Sequence, residues 1–180
     1  MKTTKIPNPT LPSRKLIIAL SLLVSITSMA ACSNEMLAAP DRISADDALK
    51  RFYENQGPED TLMDPLILAG SSAVPRVLKE ISNKNMPRRR YAIAFLGNGS
   101  YSEAVPILEP ILADSSEEDY IRGECLHSIY LIDESRAKQL AQEYGDREDY
   151  LGKISLRIKN GDVELKKRRS HSDAMLEKHQ

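Results

Sequence analysis

The sequence predicts an all-α fold, a short α-solenoid of about four antiparallel helix pairs. Three observations carry that expectation. Ala73-Val74-Pro75-Arg76-Val77-Leu78 returns 31 residues later as Ala104-Val105-Pro106-Ile107-Leu108, and the apolar stretch led by Arg89 returns 33 residues later behind Arg122. Two different landmarks that recur at nearly one spacing mark a structural unit copied along the chain. Apolar residues between those landmarks recur at helical spacing and are punctuated by Gly, Pro and Asn. The composition agrees: 41% of the 180 residues are apolar, yet Trp is absent and Phe numbers two, which suits helices packed closely through aliphatic side chains.

At the amino terminus, Lys2, Lys5, Arg14 and Lys15 form a basic leader interrupted by Pro7, Pro9 and Pro12. Leu16 to Met29 is almost wholly apolar but falls short of the roughly 20 residues that span a bilayer comfortably, and Ala30-Ala31 supply the small residues a signal peptidase needs. Met29-Ala30-Ala31-Cys32 resembles a bacterial lipobox, with Met where Leu is usual. That resemblance implies a signal peptide over residues 1–31 and diacylglyceryl and acyl chains on Cys32, each buried methylene contributing about 0.8 kcal/mol of anchoring. The alternatives are an ordinary cleaved signal with an incidental Cys, or an uncleaved anchor helix. Ser33 rather than Asp after the Cys points, by resemblance to enteric-bacterial sorting, to the outer membrane facing the periplasm. Residues 32–43, with Ala38-Ala39-Pro40, read as the lipidated Cys and a flexible tether.

Removing residues 1–31 leaves 21 basic against 26 acidic residues, a charge of −5 that argues against general nucleic-acid binding. Cys125 is then the single remaining thiol, so no intramolecular disulfide is available despite export. It falls on an apolar helix face, where an inert core thiol is expected.

The helical body is expected over residues 44–161. Ser44 and Asp47 form a capping box before a helix carrying Ala48, Leu49, Phe52 and Tyr53, which Gly57-Pro58 ends. A short helix over 61–69 tolerates Pro65 near its start and stops at Gly70. Ser71 or Ser72 is expected to cap the next helix, with Val74, Val77, Leu78 and Ile81 inward. Pro75 is cheap there, because the first backbone N–H groups of a helix have no internal partner. Asn83-Lys84-Asn85 makes a turn. Pro87 opens a helix with Ala92, Phe95 and Leu96 inward, closed by Gly97-Asn98-Gly99.

Ser100 or Ser102 begins the third pair, with Val105, Leu108, Ile111 and Leu112 inward and Pro110 expected to bend the helix. Ser116 with Asp119 is expected to form a second capping box ahead of Ile121, Cys125, Leu126 and Ile129. Asp133 caps a helix bearing Ala137, Leu140 and Ala141. Leu151, Ile154, Ser155 and Ile158 make its partner, ended by Asn160-Gly161. Residues 162–180 then form a basic tail around Lys166-Lys167-Arg168-Arg169, expected to be mobile or ordered only against a partner or anionic lipid.

At Ala73-Val74-Pro75 and Ala104-Val105-Pro106, joined to Arg89, Ala92, Leu96, Gly97 and to Arg122, Cys125, Ile129, the chain resembles HEAT repeats. It is similar to the short bacterial type sometimes called phycobilisome-lyase-type HEAT. The match is good over about 62–144; in the last pair Gly152 stands where the signature Arg would, as in a degenerate cap. The resemblance implies stacked pairs whose second helices line a concave surface that holds partners. Arg89 and Arg122 are expected to pair with acids or carbonyls of the adjacent repeat.

Chemistry-bearing patterns are sparse. His127, His171 and His179 form no i, i+3 or i, i+4 pair in metal-ligand spacing, so no metal is expected. Gly97-Asn98-Gly99 follows a helix and reads as a turn, no Gly-x-Ser-x-Gly elbow exists, and Glu117-Glu118-Asp119 suits the positive end of a helix. No catalytic residue and no cofactor is expected. The candidates for partner binding are Arg88, Arg90 and Tyr91 at the start of one second-layer helix, with Glu124 and His127 outward on the next. Arg90 and Tyr91 could meet an acidic partner; the competing reading of all five is a solvated face. The function expected is a non-enzymatic interaction or assembly module, held at the membrane through Cys32 and serving an unidentified envelope protein. The alternative, suggested by the repeat resemblance alone, is a cofactor-handling or lyase-like enzyme.

Overall fold

A computed structural model describes residues 43–166, which lie within the second of the two units into which the chain divides, residues 40–180. The expected signal peptide, Cys32, most of the tether and the tail from 167 onward lie outside the described residues. Those described are all-α: α1 (Ala45–Glu54), α2 (Asp64–Ala69), α3 (Val74–Glu80), α4 (Arg89–Asn98), α5 (Val105–Ala113), α6 (Asp119–Ile132), α7 (Glu134–Ala141) and α8 (Tyr150–Lys159), with short 3-10 turns between some of them and no strand. No described helix is long and apolar enough to cross a membrane.

The helices pack in a single cluster. α1 packs on α2 and touches α3, while α2 touches α4, α4 packs on α6, and α6 packs on α8. α5 lies against α6, and α7 against both α6 and α8. One continuous core runs through all of them, from Phe52 through Leu66, Leu96 and Leu126 to Ile158. Burial of aliphatic surface between successive pairs is the main favourable term, because no single pair here encloses its own apolar face.

Polar contacts repeat at the same interval. Arg76 reaches Asp46 (3.0 Å), Arg90 reaches Glu59 (2.5 Å), Lys84 reaches Asp114 (2.8 Å), Arg136 reaches Glu109 (2.7 Å) and Lys166 reaches Glu134 (2.5 Å). Each joins residues 27 to 32 positions apart, the length of one helix pair.

Several local expectations change. Ser44 caps α1 by accepting from the Asp47 N–H (3.1 Å), and Asp133 caps α7 by accepting from the Arg136 N–H (2.9 Å), as the sequence suggests. Neither Ser71 nor Ser72 caps α3: a 3-10 turn over Gly70–Ala73 leads into it, and the Ser72 hydroxyl donates to the Ala69 carbonyl (2.7 Å), serving the end of α2 instead. Likewise a 3-10 turn over Ser102–Ala104 precedes α5. The second capping box is absent. Ser116 folds onto Asp114, and the Asp119 carboxylate accepts from the Tyr150 N–H at the start of α8 (2.8 Å), a bond across to the next pair. Gly97 lies inside α4 rather than ending it. A Cβ there would lie 2.7 Å from the Ser128 Cα, so the glycine sets how closely α4 and α6 approach.

Residues 162–166 do not belong to a free tail. A 3-10 turn over Val163–Lys166 packs on α6, buries Leu165, and places the Lys166 ammonium 5.6 Å from the centre of the Tyr130 ring.

Candidate interaction site

Arg89 starts α4 and Arg122 lies in the first turn of α6, and each closes the end of the helix before it. Arg89 Nε donates to the Ile81 carbonyl (2.6 Å) and Arg122 Nε to the Leu112 carbonyl (2.8 Å). Both carbonyls stand at the C-terminal ends of first helices, α3 and α5, where the last carbonyls have no partner within the helix. The carbonyl therefore comes from the arginine's own pair, not from the adjacent repeat as expected. The adjacent repeat supplies Glu117, whose carboxylate pairs with Arg89 Nη1 at 2.7 Å, both side chains being buried.

Beside Arg89 lies a groove of about 530 Å³ between the start of α4 and the turn that leads into α6. Arg88, Arg90 and Tyr91 line it from one side, Glu117 and Tyr120 from the other, and Lys84 stands at its edge. Lys84 donates to Asp114 and to Ser116 Oγ (2.7 Å), and that ammonium holds the Asp114 carboxyl well below the usual carboxylate range. The chain thus joins the turn of one pair to the turn of the next at the groove's edge.

The candidate residues divide sharply. Arg88 adopts a left-handed backbone (φ 56°), and its guanidinium donates to the carbonyls of Phe52 and Asn55, so it staples the end of α1 to the start of α4. Its charge meets carbonyl dipoles and no described carboxylate. Arg90 and Tyr91 do face outward. Arg90 Nη2 donates to Glu59 Oε1 (2.5 Å) and to the Tyr91 hydroxyl (2.9 Å), the guanidinium stands 4.7 Å from the centre of the Tyr91 ring, and the Tyr91 hydroxyl donates to the same Glu59 oxygen (2.6 Å). Burial opposes the Arg90 charge but is outweighed by Tyr91, Glu124 and Glu59, which raise its pKa above the ordinary value. Burial first, and then the Glu59 carboxylate, raise that of Tyr91.

Glu124 is not outward. It is 3% exposed in the interior of α6, with its Oε1 3.8 Å from His127 Nδ1. The physical reason is that α6 touches four other helices, so the stripe expected to face solvent is covered. His127 is half-buried beneath the 163–166 turn: its Nε2 lies 2.8 Å from the Leu165 carbonyl, which can only accept, so Nε2 carries the proton. On α4 the accessible residues are Arg90 and Tyr91 near its N-terminal end, and on α6 the exposed residue is Tyr120, also near its start. The five candidates therefore separate into a staple (Arg88), a surface pair (Arg90 and Tyr91) and a covered pair (Glu124 and His127).

The chain matches no family model, no curated protein and no solved structure.

Two neighbours of the surface pair, Tyr120 in the groove and Glu59 beside Arg90, escaped the sequence. Glu59 sits in a 3-10 turn with no helical periodicity to single it out, yet it precedes Arg90 by 31 residues, and that interval could have paired them. Tyr120 is exposed at the start of α6 and reads in sequence as an isolated aromatic. Cys125 is fully buried, and burial pushes its thiol above the ordinary range, which removes the thiolate a nucleophile needs. Among the described residues no three His, Cys, Asp or Glu side chains converge to hold a metal.

Proposed function

We propose that this protein is a HEAT-like α-solenoid lipoprotein, tethered to the bacterial envelope through Cys32 and working as a non-enzymatic interaction or assembly module. One observation supports the solenoid above the others: the same arginine-to-carbonyl bond is made twice, by Arg89 and Arg122, one repeat apart. Ion pairs at 27 to 32 residues of separation fit the same arrangement, in which each pair contacts only its neighbours. A stacked array of this kind offers extended surface and grooves at its unit junctions, which suits partner holding better than the enclosed, desolvated pocket that catalysis favours.

The lipid tether is the part most open to a direct test. The full chain expressed in a bacterial host is expected in the membrane fraction, and Cys32→Ser is expected to move it to the soluble fraction. A Cys32→Ser protein that still pellets with membranes would sink the lipid reading, whatever the surface binds.

A further inference from the structure

We propose that the groove beside Arg90 takes an acidic peptide segment, and that Glu59 is an internal stand-in for that peptide's carboxylate. The inference rests on the interaction-module reading and names the chemistry of the partner. Its geometry is specific. One carboxylate oxygen, Glu59 Oε1, receives two donors at once, Arg90 Nη2 at 2.5 Å and the Tyr91 hydroxyl at 2.6 Å. Arg90 and Tyr91 are themselves joined (2.9 Å), so the two donors are held together as a pre-formed carboxylate clamp. Both side chains line the groove.

Glu59 is well placed to give way. Its side chain is 67% exposed and belongs to a three-residue 3-10 turn between α1 and α2. Ion pairs this open contribute about 0–1 kcal/mol, because water screens them and two long side chains must be ordered to make them. Replacing one carboxylate by another on the same donors therefore costs little. Displacement leaves Arg90 without its surface acid, and the exposed Glu118 carboxylate beside Tyr120 is the acid that remains uncommitted to a groove cation. Arg88 rests on carbonyl groups, while Arg89 and Lys84 stay with Glu117 and Asp114. A segment carrying several carboxylates could take the clamp with one of them. Exposed Tyr120, on the opposite wall, offers apolar surface to the rest of the segment.

The test is fluorescence anisotropy of fluorescein-labelled hexaglutamate with the full chain in nonionic micelles at low salt, with hexaglutamine and hexalysine as controls. Wild type is expected to bind hexaglutamate weakly. Glu59→Gln, which removes the competing charge, should tighten binding about 5-fold, the factor that corresponds to the upper end of an exposed pair's contribution. Arg90→Gln should abolish binding and cancel the gain in the double variant, and Tyr91→Phe should weaken it. Equal affinity for wild type and Glu59→Gln overturns the proposal, as does a gain that survives Arg90→Gln. Inorganic phosphate displacing the probe better than free hexaglutamate would also overturn it, leaving a small-anion site. If hexaglutamate fails while crosslinking in cells identifies one reproducible neighbour from another face, this inference falls and the interaction-module reading stands.

Discussion

The two unit junctions around α6 use the same arginine for different ends. At the α4–α6 junction, Arg89 closes the end of α3 and then pairs with buried Glu117, and the ground around it is charged and open as a groove. At the α6–α8 junction, Arg122 closes the end of α5 in the same way, but its guanidinium lies 5.5 Å from the centre of the Tyr144 ring. In α8, a Cβ at Gly152 would meet the Arg147 carbonyl at 2.0 Å, so the glycine lets that backbone close on the start of the helix. The carbonyl bond is therefore common to the two junctions. What the rest of the guanidinium meets differs: buried Glu117 beside a groove at one junction, the Tyr144 ring with Asp149 in electrostatic reach at the other.

The sharpest way to break this comparison is to remove each arginine. Arg89→Ala strands the Glu117 carboxylate in a buried position with only Lys84, 3.7 Å away, to answer it. Breaking a buried pair from one side costs about 3–5 kcal/mol. Arg122→Ala loses one buried bond to a carbonyl and a cation–π contact but leaves no buried charge, so about 1–3 kcal/mol is expected. Urea unfolding followed by helical circular dichroism measures both. Equal losses would show that Glu117 contributes nothing beyond the shared carbonyl bond. The double substitution Arg89→Ala, Glu117→Ala should recover part of the larger loss, because it removes the stranded charge.

A smaller contrast separates the same junctions by their glycines. A Cβ at Gly97 would lie 2.7 Å from the Ser128 Cα, Cβ and Oγ, and backbone cannot step aside as a side chain can. Gly97→Ala should therefore cost about 1–3 kcal/mol by pushing α4 off α6. At Gly123 the close atoms belong to the exposed Tyr150 ring, at 2.4 and 2.6 Å, while the Leu151 Cα is at an ordinary 3.5 Å. The clash there is with a side chain, and the roughly 1 kcal/mol that alanine gains over glycine inside a helix offsets it, so Gly123→Ala should cost less than Gly97→Ala. Thermal or urea unfolding of the two variants side by side decides whether the α4–α6 contact is the tighter of the two.

Legibility followed the physics of each feature. Helix positions were readable because burial imposes a 3.6-residue period, and Ala92, Leu96, Cys125 and Ile129 all lie in the core as that period requires. Caps were readable where the cap residue serves its own helix, as Ser44 and Asp133 do, and misread where it serves another. Asp119 accepts the first N–H of α8, which Asp149 caps, and Ser72 bonds backward to α2, choices that only the packed structure determines. The outward placement of Glu124 and His127 failed for a related reason. A helical wheel assumes one buried stripe, whereas α6 is enclosed by neighbours and by the 163–166 turn. Arg90 and Tyr91 stood out through their chemistry, but their partner Glu59 is visible only through the 31-residue interval.

The smallest expected effect concerns that 163–166 turn, which packs on α6. Lys166 and Lys138 both reach Glu134, at 2.5 and 2.7 Å, and their hydrogen bonds lower its carboxyl from the ordinary 4.5 to about 2. A carboxyl depressed in the folded state contributes stability that is present above pH 4.5 and is lost as pH falls toward about 2. Acidification through that window should loosen the turn while the core holds, because the pair is exposed but Leu165 beneath it is buried. The His127 bond to the Leu165 carbonyl does not oppose the trend, since Nε2 keeps its proton whether or not the ring is charged. The Leu165 methyl resonances report this directly. They should move toward unfolded positions as pH falls from 4.5, whereas Glu134→Gln should show part of that displacement already at neutral pH. Methyl signals that stay fixed from pH 7 to 2 in both proteins would mean that burial of Leu165 alone holds the turn, and that the ion pair at its end is ornamental.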